Sequence, residues 1–378
     1  MKKATIILIT VLLCLFIMAG NVSSFHIPKL NFSNRVQSYS NKVADIDQSN
    51  EDNIFDDFLF EPVDIKLEDD AFHGSKGLHS YEWWYFDASL DNGFSVQISI
   101  QVLNVLNRAL FMTGINVYKD GDIVSNSHQR YLKDQIFAST TEPLIRINGK
   151  EIMRGYIDEN TGDWIYLLNL ETKDISVDFT FIGKTKGWKV LTPGIGWWTV
   201  VLPRAEVTGI LTMNGIKMDA SGTGYHDHNW EVTAYTCVNF GWYWGKIDSS
   251  TYTITWADIK ITRISERPFI VINKKDGEYI SIPSNSIKLV PNDLRFSNGK
   301  IIPNSFTLQI NYKKIDEEFK NENIHLNVNM EVTGLHHFRK FGFINYWRYH
   351  MHCSGYITID GQTEIINEDT MAEFLRFR

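Results

Sequence analysis

From Ser80 onward the sequence is patterned in twos. Phe94, Val96, Ile98 and Ile100 fall on one side, and Ser95, Gln97, Ser99 and Gln101 on the other. That alternation is the mark of a half-buried strand. Glycine turns punctuate the pattern at Asn92-Gly93, Asp120-Gly121, Asn148-Gly149, Thr161-Gly162, Asn214-Gly215, Asp276-Gly277, Asn298-Gly299 and Asp360-Gly361. Asn-Gly and Asp-Gly suit tight hairpins because both central residues tolerate positive φ. Many strands joined by hairpins leave an antiparallel sandwich or barrel as the outcome. Helical patterning is scarce: Ile315 to Asn321 holds a turn or two, and Asp369 to Arg376 reads as helix or strand. The expected class is all-β.

The chain is long enough for two domains, with 378 residues of which 43% are apolar and 13% aromatic. Such a composition buries enough surface to fold and excludes global disorder. The aromatic share has two readings, a β-rich core or a pocket that offers flat apolar faces to a ligand. A formal net charge of −8 and the lack of a long basic run argue against a nucleic-acid partner. Cys14, Cys237 and Cys353 show no CxxC spacing. A thiolate zinc site or a disulfide framework is therefore not indicated, and Cys237 and Cys353 are either paired or buried free thiols.

The N-terminus reads as an export signal. Met1-Lys2-Lys3 is a short basic region, Ala4 to Gly20 an almost unbroken apolar run, and Val22-Ser23-Ser24 a cleavage-like stretch. The expected location is extracytoplasmic, with residues 1–24 a cleaved leader or an uncleaved membrane anchor. Residues 25–70, rich in Asp and Glu, read as a linker. Gly222-Thr223-Gly224 marks the expected boundary between an N-terminal domain, 71–222, and a C-terminal domain, 223–378. Each block has about 150 residues, the size of one lipocalin-type barrel.

Three segments carry chemistry. In Ser80-Tyr81-Glu82-Trp83-Trp84-Tyr85-Phe86-Asp87-Ala88, strand alternation puts Glu82, Trp84 and Phe86 on one face. An inward Glu82 would be an acid beside indoles, with burial favouring its neutral form; the plainer reading is a carboxylate that satisfies a buried Trp N–H or an Arg. In Gly224-Tyr225-His226-Asp227-His228-Asn229-Trp230, the residues His226, His228 and Trp230 share one face and Tyr225, Asp227 and Asn229 the other. His228 and Trp230 line an organic pocket in one reading. In the other, His226-x-His228 meets His350-x-His352, with His336-His337 nearby, on a divalent metal. The third segment joins Trp242-Tyr243-Trp244-Gly245 to Thr253-Ile254-Thr255-Trp256-Ala257-Asp258, where Trp256 and Asp258 share a face. Asp258 there is a protonated acid, or a strand-end carboxylate paired with Lys260 or Arg263.

Taken together and in this order, the segments resemble the carotenoid 1,2-hydratase (hydroxyneurosporene synthase) and AttH-like family. The matching stretches are Glu82-Trp83-Trp84-Tyr85-Phe86-Asp87, Trp197 with Leu202-Pro203, Gly209, Gly224 to Trp230, and Trp347-Arg348-Tyr349-His350 through Arg378. The resemblance covers Leu78 to the C-terminus. It implies two tandem lipocalin-like antiparallel β-barrels and relatives that hydrate or cyclise terpenoid and polyketide chains. It further implies Asp258 as proton donor, with His228, Trp230 and Trp256 as its catalytic neighbours. Glu82, Trp84, Tyr225, His226, Tyr243 and Trp244 become ligand-binding residues, and neither metal nor other cofactor is called for. The sequence departs from the family at Trp256, where a Tyr is expected, and at Glu231, where Gly is more frequent.

Three functions follow as expectations. The first is an exported protein that binds a hydrophobic, isoprenoid or lipid-like small molecule and carries out acid-assisted hydration, isomerisation or cyclisation of an alkene. Hydration needs a dry acid for one carbon and aromatic faces for the resulting cation. The second is a secreted carrier that does no chemistry. The third is a metal-dependent enzyme built on the HxH pairs. Membrane association, if present, would run through the N-terminal segment.

Overall fold

A computed structural model describes residues 61–74, 79–105, 108–192, 196–233, 241–260, 266–275, 277–314, 322–340 and 344–376. The leader and the linker up to residue 60 lie outside the described residues, as do Cys237 and the expected turn at Ile315 to Asn321. Asp369 to Arg376 is strand, the end of Gln362–Arg376.

The described chain is all-β apart from three short 3-10 turns, and every strand pairing is antiparallel. It forms two lipocalin-like sheets in tandem. One curls into a nearly closed barrel and the other into a half-barrel. At the centre of the first, His79–Leu90 lies between Phe94–Val105 and Ile216–Thr233, which in turn pairs with Gly196–Met213. The second centres on Gly241–Asp248, flanked by Tyr252–Lys260 and Gln362–Arg376. Both sheets belong to one compact unit, residues 60–338 with 345–378.

The turn chemistry behaves as the dipeptides require. Asp120-Gly121, Asn148-Gly149, Asn214-Gly215, Asn298-Gly299 and Asp360-Gly361 each hold both residues at positive φ, between 49° and 83°. That is the twist a two-residue hairpin needs to match its strands. Alternation fills each barrel: Val96, Ile98, Ile100 and Val102 join Trp84, Phe86 and Phe179 in the first core. Trp256, Phe306, Trp347, Tyr349 and Phe374 fill the second, with Cys353 buried there as a free thiol.

A third core joins the sheets. Tyr85, Trp188, Trp198, Val200 and Tyr225 of the first sheet pack on Trp244, Ala257, Ile259, Phe269 and Val271 of the second. Strands that carry it are buried on both faces, which is why Trp83-Trp84-Tyr85-Phe86 reads as an unbroken aromatic run. Polar pairs also cross the seam. Lys246 Nζ meets Asp87 Oδ1 at 2.5 Å, and Trp188 Nε1 donates to Asn273 Oδ1 at 3.2 Å.

Two sequence expectations take another form. Gly222-Thr223-Gly224 lies inside the single strand Ile216–Thr233, and the second sheet begins at Gly241. The glycines serve close packing: a Cβ on Gly224 would stand 2.5 Å from both Phe181 and Val207, and one on Gly222 2.1 Å from the Ser89 carbonyl oxygen. Residues 61–70, read as the end of a linker, are folded. Val63–Asp64 pairs with Trp188–Lys189, Lys189 holds Asp69 at 2.6 Å, and Leu67–Asp70 makes a 3-10 turn that ends on a buried Asp70.

Lys246→Met should destabilise the protein by about 3–5 kcal/mol in urea unfolding, because it strands the Asp87 charge in the seam. Replacing Asp87 by Leu in the same chain should recover most of that loss.

Candidate functional site

Alternation along Ile216–Thr233 aims His226 and His228 into the first barrel, as the spacing predicts, and Tyr225 and Asp227 into the seam. Across the ladder His228 faces Trp84 and His226 faces Phe86. The rings stack: His226 on Phe86 at 3.7 Å and 5°, His228 on Trp84 at 4.3 Å and 19°. The strand bulges after Asn229. Glu231 there has φ 59°, a conformation that glycine adopts without strain. Trp230 stays on the histidine side and stacks on His73 at 3.9 Å and 3°.

Two carboxylates meet these rings. Asp70 Oδ2 lies 3.0 Å from His226 Nε2, and Asp70 Oδ1 lies 3.1 Å from His228 Nδ1. Glu82 Oε1 lies 3.0 Å from His228 Nε2 and accepts the His73 backbone N–H at 2.8 Å. His226 Nδ1 donates to the Tyr85 carbonyl at 2.9 Å, which fixes that ring. Trp84 Nε1 donates to the Asp70 carbonyl at 3.0 Å and pins the turn that delivers Asp70.

The electrostatics follow from this sandwich. Burial alone would push His228 toward its neutral form, but carboxylates at both ring nitrogens lift it to about 9. Burial alone would raise Glu82, but the hydrogen bond from His228 and the contact with His73 bring it below the usual carboxylate range. Glu82 is thus ionised, contrary to the neutral form its place among indoles suggests, because the imidazolium outweighs desolvation. Asp70 is held well below its ordinary value by His226 and His228, again against burial. Asp70, His226 and His228 are sealed from solvent, whereas His73 keeps 23% of its side chain exposed. The cluster meets water at His73.

On the opposite face of the strand stands another buried acid. Burial raises Asp227 to about 7, although Trp198 Nε1 and the Tyr225 hydroxyl both donate to it, at 3.0 and 2.9 Å.

The structure therefore brings together Glu82, Trp84, His226, His228 and Trp230. Tyr225 and Trp244 sit in the seam, with ring centroids 5.0 Å apart. Tyr243 stacks on Phe374 in the second core, where Trp256 packs on Phe306. Asp258 is buried on the Tyr252–Lys260 strand of that second sheet. The carboxylates in contact with His228 are Asp70 and Glu82. The two HxH pairs do not meet: His350 Nε2 contacts Ser95 Oγ at 3.0 Å, and His352 pairs with Asp369 at the surface. Asp70 and His73 were not legible as site residues. Their only signal is a Phe72-His73 step that closes an otherwise acidic segment.

No protein-family model matches the sequence. The chain is similar to a hydroxyneurosporene dehydrogenase of Chlorobaculum tepidum, 22% identical over 299 residues that cover 67% of this chain and 75% of that one. Its fold is similar to that of a Nitrosomonas europaea protein described as AttH, with a TM-score of 0.57 and 13% identity over 82% of this chain and 96% of that one. Kievitone hydratase from Nectria haematococca superposes with a TM-score of 0.48 and 14% identity, covering 78% of this chain and 88% of that one. The first two comparisons agree with the resemblance read from the motifs. At such identities the structural likeness is one of fold: the chain has the lipocalin-like architecture of AttH-like proteins.

The His228 ring should remain an imidazolium through pH 7.5 and titrate near 9, read from its ring-proton shift by NMR. Its folded pKa lies above the unfolded value, so its stabilisation is complete below about pH 6.5 and is lost as pH rises through 9. The loss attributable to this ring is about 3 kcal/mol.

Proposed function

We propose that this protein binds an apolar small molecule against the indole faces beside His228 and acts on it by acid–base chemistry. In this reading His228 donates the proton. Glu82 and Asp70 keep the ring charged until it does, and His226 holds Asp70. Trp84 and Trp230 supply the apolar wall, and half-exposed His73 is the side of approach. Export to an extracytoplasmic compartment is part of the same proposal and rests on the leader-like N-terminus.

The observation that carries the reading is a solvent-sealed imidazole held between two carboxylates and stacked on tryptophan. Such a group is costly to bury unless paired, and perturbed titratable groups of this kind cluster where chemistry is done. Its pKa narrows the chemistry. An acid at about 9 can hand a proton to an oxygen or to an enolate carbon as charge develops there. It is too weak for an isolated alkene. The substrate class is therefore an apolar molecule whose double bond is conjugated to a carbonyl, or one with a hydroxyl to be expelled. Hydro-lyase or isomerase/cyclase chemistry fits both. The relative from Chlorobaculum tepidum, a hydroxyneurosporene dehydrogenase, supports an apolar substrate.

A second reading keeps Asp258 as the acid, in the core of the second sheet. It is favoured by the buried Trp256 Nε1 and Tyr349 hydroxyl, which have no hydrogen-bond partner among the described residues. Polar atoms left unpaired in a core are open to a ligand.

The test starts from the apolar compound that co-purifies with protein from its native host, identified by mass spectrometry and supplied back as substrate. Glu82→Gln should lower turnover by about 10²–10⁴-fold while apolar-ligand affinity changes little, and Asp258→Asn should leave turnover unaltered. The reverse pattern would move the acid to the second sheet. A compound that binds and is returned unchanged by the wild type would leave a carrier.

A further inference from the structure

We propose that His73, Glu82 and His228 together form a binding site for one divalent transition-metal ion of the zinc type, with a fourth coordination position left open. The proposal shares its three residues with the acid–base reading but does not need it, because metal binding can be measured with no substrate present.

The donor set comes first. His73, Glu82 and His228 each offer one ligand atom, and the three atoms lie within 4.8 Å of one another. Glu82 Oε1 is 3.0 Å from His228 Nε2 and 3.6 Å from His73 Nδ1. Tetrahedral zinc with bonds of about 2.0–2.1 Å places neighbouring ligand atoms about 3.3 Å apart. The two Glu82 edges bracket that value and the imidazole–imidazole edge lies within 4.8 Å, so the site closes by drawing the two rings together around the ion. Two imidazoles and one carboxylate with an open position are the ligand arrangement of hydrolytic zinc centres rather than of closed structural ones.

The surroundings supply what such a centre needs around its ligands. When a histidine binds metal through one nitrogen, its other nitrogen is normally held by a carboxylate. His228 comes close to this arrangement: Nδ1 lies 3.1 Å from Asp70 Oδ1, an ion-pair contact that is not aligned as a hydrogen bond, while Nε2 faces the cluster. Asp70 is itself held by His226, and His226 by the Tyr85 carbonyl, so the orientation is fixed three groups deep. The His73 ring is fixed by its stack on Trp230. His73 Nδ1 is buried and has no hydrogen-bond partner among the described residues, although it is directed at Glu82. An imidazole nitrogen in that state is a donor without an acceptor or an acceptor without a donor, and a cation resolves it. The partial exposure of His73 gives the ion a way in and a water or ligand a way to the fourth position.

The ion and the His228 Nε2 proton cannot occupy the same lone pair, so the protein has two states of one centre. Metal-free, it is the ionised relay described above. Metal-loaded, Asp70 orients a ligand instead of stabilising a charge.

The experiment uses the full chain purified without an affinity tag, stripped with a chelator and titrated with Zn²⁺ by calorimetry and with Co²⁺ by visible spectroscopy. One equivalent should bind, and cobalt should give the intense bands of a tetrahedral N/O site. His73→Asn, on a half-exposed residue outside the strands, should abolish the bands and the stoichiometric binding. Asp70→Asn should keep the stoichiometry and weaken affinity about 10–100-fold. His352→Asn, at the surface, should change nothing. Absence of stoichiometric binding, or binding that survives His73→Asn, would overturn the assignment. Turnover measured on the stripped protein would be untouched by that result.

Discussion

Asp70 is the group on which the first sheet depends. It arrives from outside the sheet, at the end of a 3-10 turn, and its carboxylate reaches two imidazoles on one strand, 3.0 and 3.1 Å away. Without it His226 would keep only the Tyr85 carbonyl and His228 only Glu82, and one face of the central strand would bury ring nitrogens with no partner. The segment before the sheet is thus part of the barrel in the energetic sense. Its own ladder, Val63–Asp64 on Trp188–Lys189, and the Lys189–Asp69 pair hold the turn where Asp70 must sit.

The same strand explains how a chain with this many aromatics stays ordered. Ile216–Thr233 presents imidazoles to one core and Tyr225 and Asp227 to another. His226, His228 and Asp227 are met by Asp70, Glu82 and Trp198 from other elements, and Tyr225 and Asn229 turn to Asp227 on the strand itself, so polar and aromatic residues alternate without leaving these charges bare. The third core that results is as aromatic as the two barrels and joins the sheets into one compact unit.

Much of the fold was legible because its causes are local. Alternation at Phe94 to Gln101 and the Asn-Gly and Asp-Gly turns follow from backbone sterics and read directly from neighbouring residues. The faces of His226, His228 and Trp230 followed from the same period. What failed to read was long-range. Nothing near Asp70 in sequence announces histidines at 226 and 228, and an acidic stretch looks the same whether it is solvated or has one member buried. The glycines at 222 and 224 look like a domain boundary in sequence, yet they make room for Ser89, Phe181 and Val207, contacts that exist only in the folded sheet. Tyr225 and Trp244 looked like pocket walls for a related reason: periodicity says that a face is buried, not what buries it. The pairing of Asp258 with His228 came from resemblance alone. The carboxylates that touch His228 are supplied by Asp70 and Glu82.

The two-sided strand also guards its own alignment. A shift of one residue against His79–Leu90 would turn both imidazoles toward the seam and send Tyr225 and Asp227 inward, since side chains change sides at every step. Asp70 and Glu82 would lose His228 at the moment Trp198 lost Asp227. Slippage is therefore penalised in two cores at once, and the central ladder of this barrel has a single tolerable alignment even where its backbone bonds would accept others.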